Sequence, residues 1–313
     1  MMAVMLLALA AMQTVEAQQL DRAAALQAAS RELDAGRRVE ARRLLADAAE
    51  RFKSVQALLL LSRVQSGDGD AAGALESLRT ARAMAPNSEE VLSAFAQMSI
   101  AAGAPVPAIV ALEALRRMCP SVVQYHYLLG IALLRVGDRL NAVNALQAAE
   151  ELEPNRAQTL LALGIAHNSL QQYADAKPVL VRALGLDLDN SDAMAALAES
   201  EHGLGELEAS SRHAQQVLAR APHHATASLV AGLIAMDRAQ YQEARTALAR
   251  AVATDPMLFK AYYQLSLACS RLGDESAARN HLDMYRQRLR EAQNRLDDLQ
   301  RATGPMRTDS KKQ

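Results

Sequence analysis

Four sequence markers recur along this chain with a period of 34 residues. Two are a proline and a Leu-Gly pair, and the others are a small residue followed four positions later by an apolar one. The prolines are Pro86, Pro120, Pro154, Pro222 and Pro256, with Leu188 in the one slot without proline; the pairs are Leu129-Gly130 and Leu163-Gly164, weakened to Ala231-Gly232 and Leu265-Ser266. The small residues are Ala74, Ala108, Ala142, Ala176, Ser210, Ala244 and Ala278, and the apolar ones are Leu78, Leu112, Leu146, Leu180, Ala214, Leu248 and Leu282. A fixed period of this length indicates tandem copies of one small structural unit.

Each unit has the pattern of two amphipathic helices joined by a short turn. Ala and Leu, both strong helix formers, supply most of the apolar content, whereas aromatic residues make up 3% of the chain and Trp is absent. Glycine stands where the first helix must end, as in Gly137-Asp138 and Gly273-Asp274. The proline ends the second helix because it cannot continue it. One unit cannot bury its apolar face alone, so the units must stack on one another.

This pattern resembles the tetratricopeptide repeat, which has a Leu-Gly pair in its first helix, a small residue in its second and a closing proline. The resemblance implies an all-α, right-handed superhelical solenoid of about eight tandem helix-turn-helix repeats with a C-terminal capping helix. We assign residues 18–292 to this solenoid. The predicted repeats are 22–54, 55–88, 89–122, 123–156, 157–190, 191–224, 225–258 and 259–292, and the first is one residue out of step, with its match at Gly36, Ala41, Leu45 and Ala48.

Repeat 191–224 departs most from the pattern. Ala198 replaces the glycine, Ser210 replaces the alanine, and Glu201 takes a position that is normally buried. Because an unpaired buried carboxylate is costly, we expect Glu201 to be partly solvated. We also expect this repeat to be a soft joint of the solenoid.

The resemblance implies that the first helices of successive repeats line a concave groove for a helical or extended peptide segment. The implied groove residues are Leu59, Arg63, Tyr127, Ile131, Arg135, Leu161, Ile165, Asn168, Leu229, Leu233, Met236, Tyr263, Leu267 and Arg271. An apolar surface with scattered polar groups is typical of a partner-binding site. A second interpretation stays open, in which apolar members such as Ile131, Ile165 and Leu233 only pack between helices.

The first 17 residues have the pattern of a secretory signal peptide. An uncharged apolar run from Met1 to Met12 is followed by Val15-Glu16-Ala17, a small-x-Ala cleavage site. This pattern predicts a periplasmic or secreted protein, and the run is too short for a stable membrane span. No Lys or Arg precedes the run, so the alternative is an ordinary buried first helix in a cytoplasmic protein.

The second helix of the last repeat lacks a closing proline and is predicted to run from Ala277 to about Arg301. Its apolar residues fall at spacings of three and four, which is a heptad seam: Leu282, Tyr285, Leu289, Ala292, Leu296 and Leu299. We interpret this helix as a cap over the open end of the solenoid, which repeat arrays require. A homodimer through the same helix is the alternative. Residues 293–313 hold the end of the cap and a polar tail that is predicted to be disordered.

No motif for catalysis or for a cofactor stands out in the sequence. The formal net charge of −1 provides no basic excess to attract nucleic acid. His223-His224 lack the further ligands that a zinc site needs. Cys119 and Cys269 lie in distant repeats, and we expect Cys269 to be buried.

We therefore predict a non-enzymatic scaffold for a protein or peptide partner, without cofactor or metal. The Arg-rich, Lys-poor basic content suggests a bacterial source. The alternative is an accessory or regulatory subunit of a cell-envelope enzyme, or of secretion or polysaccharide assembly.

Overall fold

The computed structural model describes residues 2–304, with side chains described from Ala17 onward. This part of the chain forms sixteen α-helices and no strand. The helices are α1 (Met2–Asp34), α2 (Arg38–Phe52), α3 (Val55–Gly67), α4 (Ala71–Met84), α5 (Glu89–Ala101), α6 (Pro105–Met118), α7 (Val123–Val136), α8 (Arg139–Leu152), α9 (Ala157–Ser169), α10 (Tyr173–Leu186), α11 (Ser191–Gly203), α12 (Leu207–Arg220), α13 (Ala225–Asp237), α14 (Tyr241–Thr254), α15 (Phe259–Arg271) and α16 (Glu275–Thr303).

The helix boundaries confirm the predicted repeat register. The first helices of the second to eighth repeats begin 34 residues apart, at Val55, Glu89, Val123, Ala157, Ser191, Ala225 and Phe259. The fold is therefore the predicted all-α repeat array of helix pairs. The pairs belong to two compact units, Met1–Met118 and Cys119–Gln313, which divide in the turn between α6 and α7. A single continuous solenoid over 18–292 and its right-handed superhelix stay predictions.

Helix α1 continues through the predicted cleavage site at Ala17 without a break. The side chains of the apolar run lie outside the described residues, so the signal peptide stays a prediction. In the described part of the chain, no helix has both the length and the apolar content that a membrane span requires. Residues 305–313, which hold most of the predicted tail, also lie outside the described residues.

The two helices of a repeat approach most closely at the Leu-Gly pair. The glycine leaves room for the leucine that comes 16 residues later on the second helix, because an added Cβ would collide with that leucine. This pairing recurs as Gly130 with Leu146, Gly164 with Leu180, and Gly232 with Leu248. All seven small residues of the second helices are also buried. The repeat markers are therefore the residues at which the helices make contact.

The turn between the two helices of a repeat requires a residue with positive φ. Glycine takes this position in most repeats, at Gly36, Gly69, Gly103, Gly137, Gly205 and Gly273. Two repeats place another residue there, Gln171 with φ of 60° and Ala239 with φ of 56°. A left-handed backbone costs a residue with a Cβ roughly 1–2 kcal/mol. These two turns are therefore strained in comparison with the others.

The expectation that Glu201 is partly solvated is wrong. Glu201 is 4% exposed, and its Oε2 lies 2.8 Å from Nδ1 of His213. Because His213 is itself partly exposed, it can pair with the carboxylate and offset the cost of burial. The same repeat also replaces the usual leucine by Ala214, which leaves room for the extra methyl group of Ala198 in one cluster with Val230 and Ile234. That the repeat is a soft joint stays a prediction.

We predict that Ala239→Gly will stabilise the protein. Glycine removes the cost of the left-handed backbone but adds conformational entropy to the unfolded chain, so the expected gain in the free energy of unfolding is about 0.5–1 kcal/mol. Chemical denaturation measures it. The matched control is Gly137→Ala at the equivalent turn, where a Cβ would meet no other atom, and it should lose a similar amount. A loss of stability in Ala239→Gly would contradict the proposed strain.

We also predict opposite effects for two Gly→Ala changes in one repeat. Gly164→Ala places a methyl group against Leu180 and should lower the free energy of unfolding by about 1–3 kcal/mol. Gly185→Ala lies in helix α10 with open space around it, so the higher helix propensity of Ala should add up to about 1 kcal/mol. Thermal unfolding of the two variants and the unmodified chain measures both changes in stability. Equal effects would show that helix propensity, not packing, governs Gly164.

Candidate functional site

The compact unit Cys119–Gln313 holds a row of neighbouring first helices. Direct contacts join α7 to α9, α9 to α11, α11 to α13 and α13 to α15. We call this row, α7, α9, α11, α13 and α15, the first-helix wall. It carries most of the predicted groove residues; Leu59 and Arg63 lie in the other compact unit, on α3.

Four of the predicted groove residues are not on an accessible surface. Leu59, Asn168 and Leu233 are each 4% exposed, and Leu229 is fully buried. Leu229 and Leu233 belong to the core between α13, α14 and α15. Their side chains pack between helices and are not available to a ligand. The interpretation that apolar members of the predicted groove only pack between helices is therefore correct for these two leucines.

Asn168 is buried because its amide joins two helices of the wall. Its Nδ2 donates to the carbonyl oxygen of Ala196 at 2.8 Å, and its Oδ1 accepts from the Ser200 hydroxyl at 2.7 Å. A buried amide that is paired at both ends is a structural bridge. Asn168 therefore holds α9 against α11 and is not a free amide for a ligand.

The other predicted residues keep accessible surface. Ile165, Tyr263 and Leu267 are exposed by 40%, 41% and 37%. Those that are half-buried are Tyr127, Ile131, Leu161 and Met236, and those that are exposed are Arg63, Arg135 and Arg271. The wall thus presents separated apolar side chains over a closed core. Whether these residues bind a ligand stays a prediction.

The Tyr127 ring is held by a cation from the turn just before α9. The guanidinium carbon of Arg156 lies 4.9 Å from the ring centroid, and Nη2 of the same arginine donates to Oε1 of Gln124 at 2.6 Å. A guanidinium over an aromatic face is attracted by the negative face of the ring. Arg156 therefore orients the polar edge of the wall at α7.

Lys260 at the start of α15 bridges repeats that are far apart in sequence. Its Nζ lies 3.0 Å from Oε1 of Glu199 on α11 and 3.5 Å from the hydroxyl oxygen of Tyr173 on α10. Burial opposes its charge, but the Glu199 carboxylate and the Tyr173 hydroxyl outweigh this and hold the pKa of Lys260 above its ordinary value. Gly203 makes room for the Tyr173 ring, because a Cβ there would collide with it.

Sequence reasoning missed this bridge. Lys260 and Glu199 are 61 residues apart, a separation that does not follow the 34-residue register. No local pattern marks them as partners, so only the folded arrangement of α10, α11 and α15 brings them together.

Helix α16 extends well beyond its partner helix. It has 29 residues, whereas α15 has 13, which correspond to lengths of about 43 Å and 20 Å. The Tyr285 ring lies 5.4 Å from the Tyr263 ring near the start of α15, so residues 289–303 continue past that helix. We call these residues the distal segment.

The distal segment is packed rather than free in solvent. Leu299 is 1% exposed and Leu296 is partly buried, whereas Gln293 and Gln300 are exposed. Helix α16 also contacts α7, the first helix of this compact unit. The predicted cap therefore reaches back within its own chain, and the homodimer stays a prediction.

The two adjacent histidines have a local structural role. His224 caps α13 by accepting from the Ala227 backbone N–H at 3.4 Å, and its Nε2 lies 3.0 Å from Oδ1 of Asp192. Among residues 17–304, no three His, Cys, Asp or Glu side chains gather in a group that could hold a metal ion. Cys269 is buried as expected, and burial raises the pKa of its thiol.

Comparison with known proteins agrees with this architecture. The family model for the tetratricopeptide repeat matches residues 127–176, 196–256 and 229–288, which include much of the first-helix wall. No protein of curated function matches the chain.

Several solved structures share the fold at low sequence identity. A tetratricopeptide repeat protein from Parabacteroides merdae superposes with a TM-score of 0.61 at 15% identity, over 79% of this chain and 98% of that one. The APC/C hetero-tetramer Cut9–Hcn1 gives 0.56 at 18% identity, over 77% of this chain and 48% of that one. The C-terminal part of a repeat protein from Cytophaga hutchinsonii gives 0.52 at 14% identity, over 77% and 99%.

Identities this low show a common fold and no more. The family match, the 34-residue register and the helix pairs nevertheless agree with one another. Residues 127–176 and 196–288 are therefore tetratricopeptide repeats, and the helix pairs before them, from α3 to α6, continue the same register.

Proposed function

We propose that this protein is a non-enzymatic scaffold that binds a helical or extended peptide segment of a protein partner on its first-helix wall. Tetratricopeptide repeats bind protein partners, and the row α7–α9–α11–α13–α15 is the surface on which this chain would do so. The observation that carries the proposal is the exposure of Ile165, Tyr263 and Leu267 on this wall.

Polar contacts between the helices of the wall hold these exposed side chains in position. Beneath them, Asn168 bridges α9 to α11, and Lys260 bridges α15 to α11 and α10. Because these polar groups are paired with other groups of the protein, they tie the helices to one another rather than compete for a ligand. A rigid surface loses little conformational freedom on binding, which favours affinity.

Photo-cross-linking tests this role of the wall. With p-benzoylphenylalanine at Ile165, the protein should form a discrete adduct with one partner in cells of its own host, because this position is exposed on the wall. The matched control is Val181, which is 50% exposed but lies on the second helix α10. Mass spectrometry of the adducts identifies the partner segment. The same set of adducts from both positions would count against a specific site on the wall.

We also propose that the protein is exported, on the strength of the apolar run and the small-x-Ala site that ends at Ala17. N-terminal sequencing of the protein from the periplasmic or secreted fraction of its host should begin at Gln18. The control is an Ala17→Arg variant, which should block cleavage because the site requires a small residue. An intact Met1 on protein recovered from the cytosol alone would refute export.

A further inference from the structure

The distal segment of α16, residues 289–303, packs against the protein in the manner of a bound amphipathic helix. Leu299 is almost fully buried and Leu296 is partly buried, whereas Asn294 and Arg301 on the opposite side are exposed, as is Leu289 at the start of the segment. Residues three positions apart lie on the same face of a helix. The segment therefore has one narrow apolar stripe against the protein and a polar face toward solvent.

Helix α15 cannot be the whole surface that buries this stripe. The two helices run side by side only as far as Tyr285, which meets Tyr263 near the start of α15. Leu299 lies 14 residues further along α16, about 21 Å, and yet is 1% exposed. Besides α15, α7 is the helix that α16 contacts most, which points to α7 as the surface under the distal segment.

The segment has little that holds it in place permanently. Its buried apolar side chains are few, and Arg290, Asp298 and Arg301 on its other faces are exposed. A helix that is mostly polar can leave the wall without exposing a large apolar area. Its occupancy of α7 is therefore of the kind that another helix can replace.

We propose that the surface of α7 is a docking site for an amphipathic helix with two leucines three residues apart, flanked by charged residues. The distal segment is the resident occupant of this site, and a partner helix of the same character gains access by displacing it. This inference rests on the proposed scaffold function. It adds the class of partner segment and the means by which access is controlled.

A peptide in solution competes with a tethered copy at a disadvantage. A segment that is attached to its own site acts at an effective concentration of roughly millimolar. The unmodified chain should therefore bind an added copy of its own distal segment weakly. Weakening the resident copy should open the site.

A fluorescein-labelled peptide of residues 287–304, added to the full-length chain, tests the proposal. The variant Leu296→Glu/Leu299→Glu should bind this peptide at least about tenfold more tightly than the unmodified chain, because its resident segment no longer competes. Fluorescence anisotropy measures the dissociation constants. Asn294→Glu/Arg301→Gln changes the charge by the same amount on the exposed side of the segment and should behave as the unmodified chain does.

Equal binding by the two variants would overturn the docking site. A second measurement, on the unmodified chain, keeps the test valid should the leucine variant fail to fold. Millimolar peptide should speed hydrogen exchange at the amides of 289–303, because the peptide displaces the resident segment. Unchanged exchange in these residues would refute the proposal by itself.

The outcome also separates this inference from the proposed function. An adduct at Ile165 together with a failure of the peptide to bind would leave the scaffold standing and remove the α7 site. Peptide binding without any adduct at Ile165 would support the α7 site and count against the wider wall.

Discussion

The repeats depend on the close approach of their two helices, which a missing Cβ makes possible in three of them. Leu146, Leu180 and Leu248 occupy the space beside Gly130, Gly164 and Gly232 in three repeats of one compact unit. Since each repeat buries only part of its apolar surface, the next repeat must cover the remainder. The residues that repeat every 34 positions are those that make this contact. Because the repeats stack in sequence, their first helices lie side by side in a row.

Two first helices of the wall bury a polar side chain that is paired within its own repeat. His167 contacts Gln172, and Glu201 contacts His213. Buried polar groups are costly when unpaired and specific when paired. The partner lies in the neighbouring turn or on the second helix, so each repeat supplies the hydrogen-bond partner for its own buried polar group.

The register was predictable because it is local. The four repeat markers together placed the start of each first helix from Val55 to Phe259 correctly. The burial of Leu229 and Leu233 was not predictable. Both lie on α13, which is apolar on most of its faces, and the repeat pattern does not indicate which of these faces turns toward the core. The partner of Lys260 was beyond sequence reasoning, because residues 61 and 87 positions away meet it only after the repeats stack.

The length of α16 follows from two separate requirements on one helix. Covering α15 needs about as many residues as α15 has, and the part of α16 around Tyr285 meets this need. The distal segment continues past α15, and the large apolar side chains that it buries are few. We therefore expect the distal segment to open more readily than the part of α16 that packs along α15.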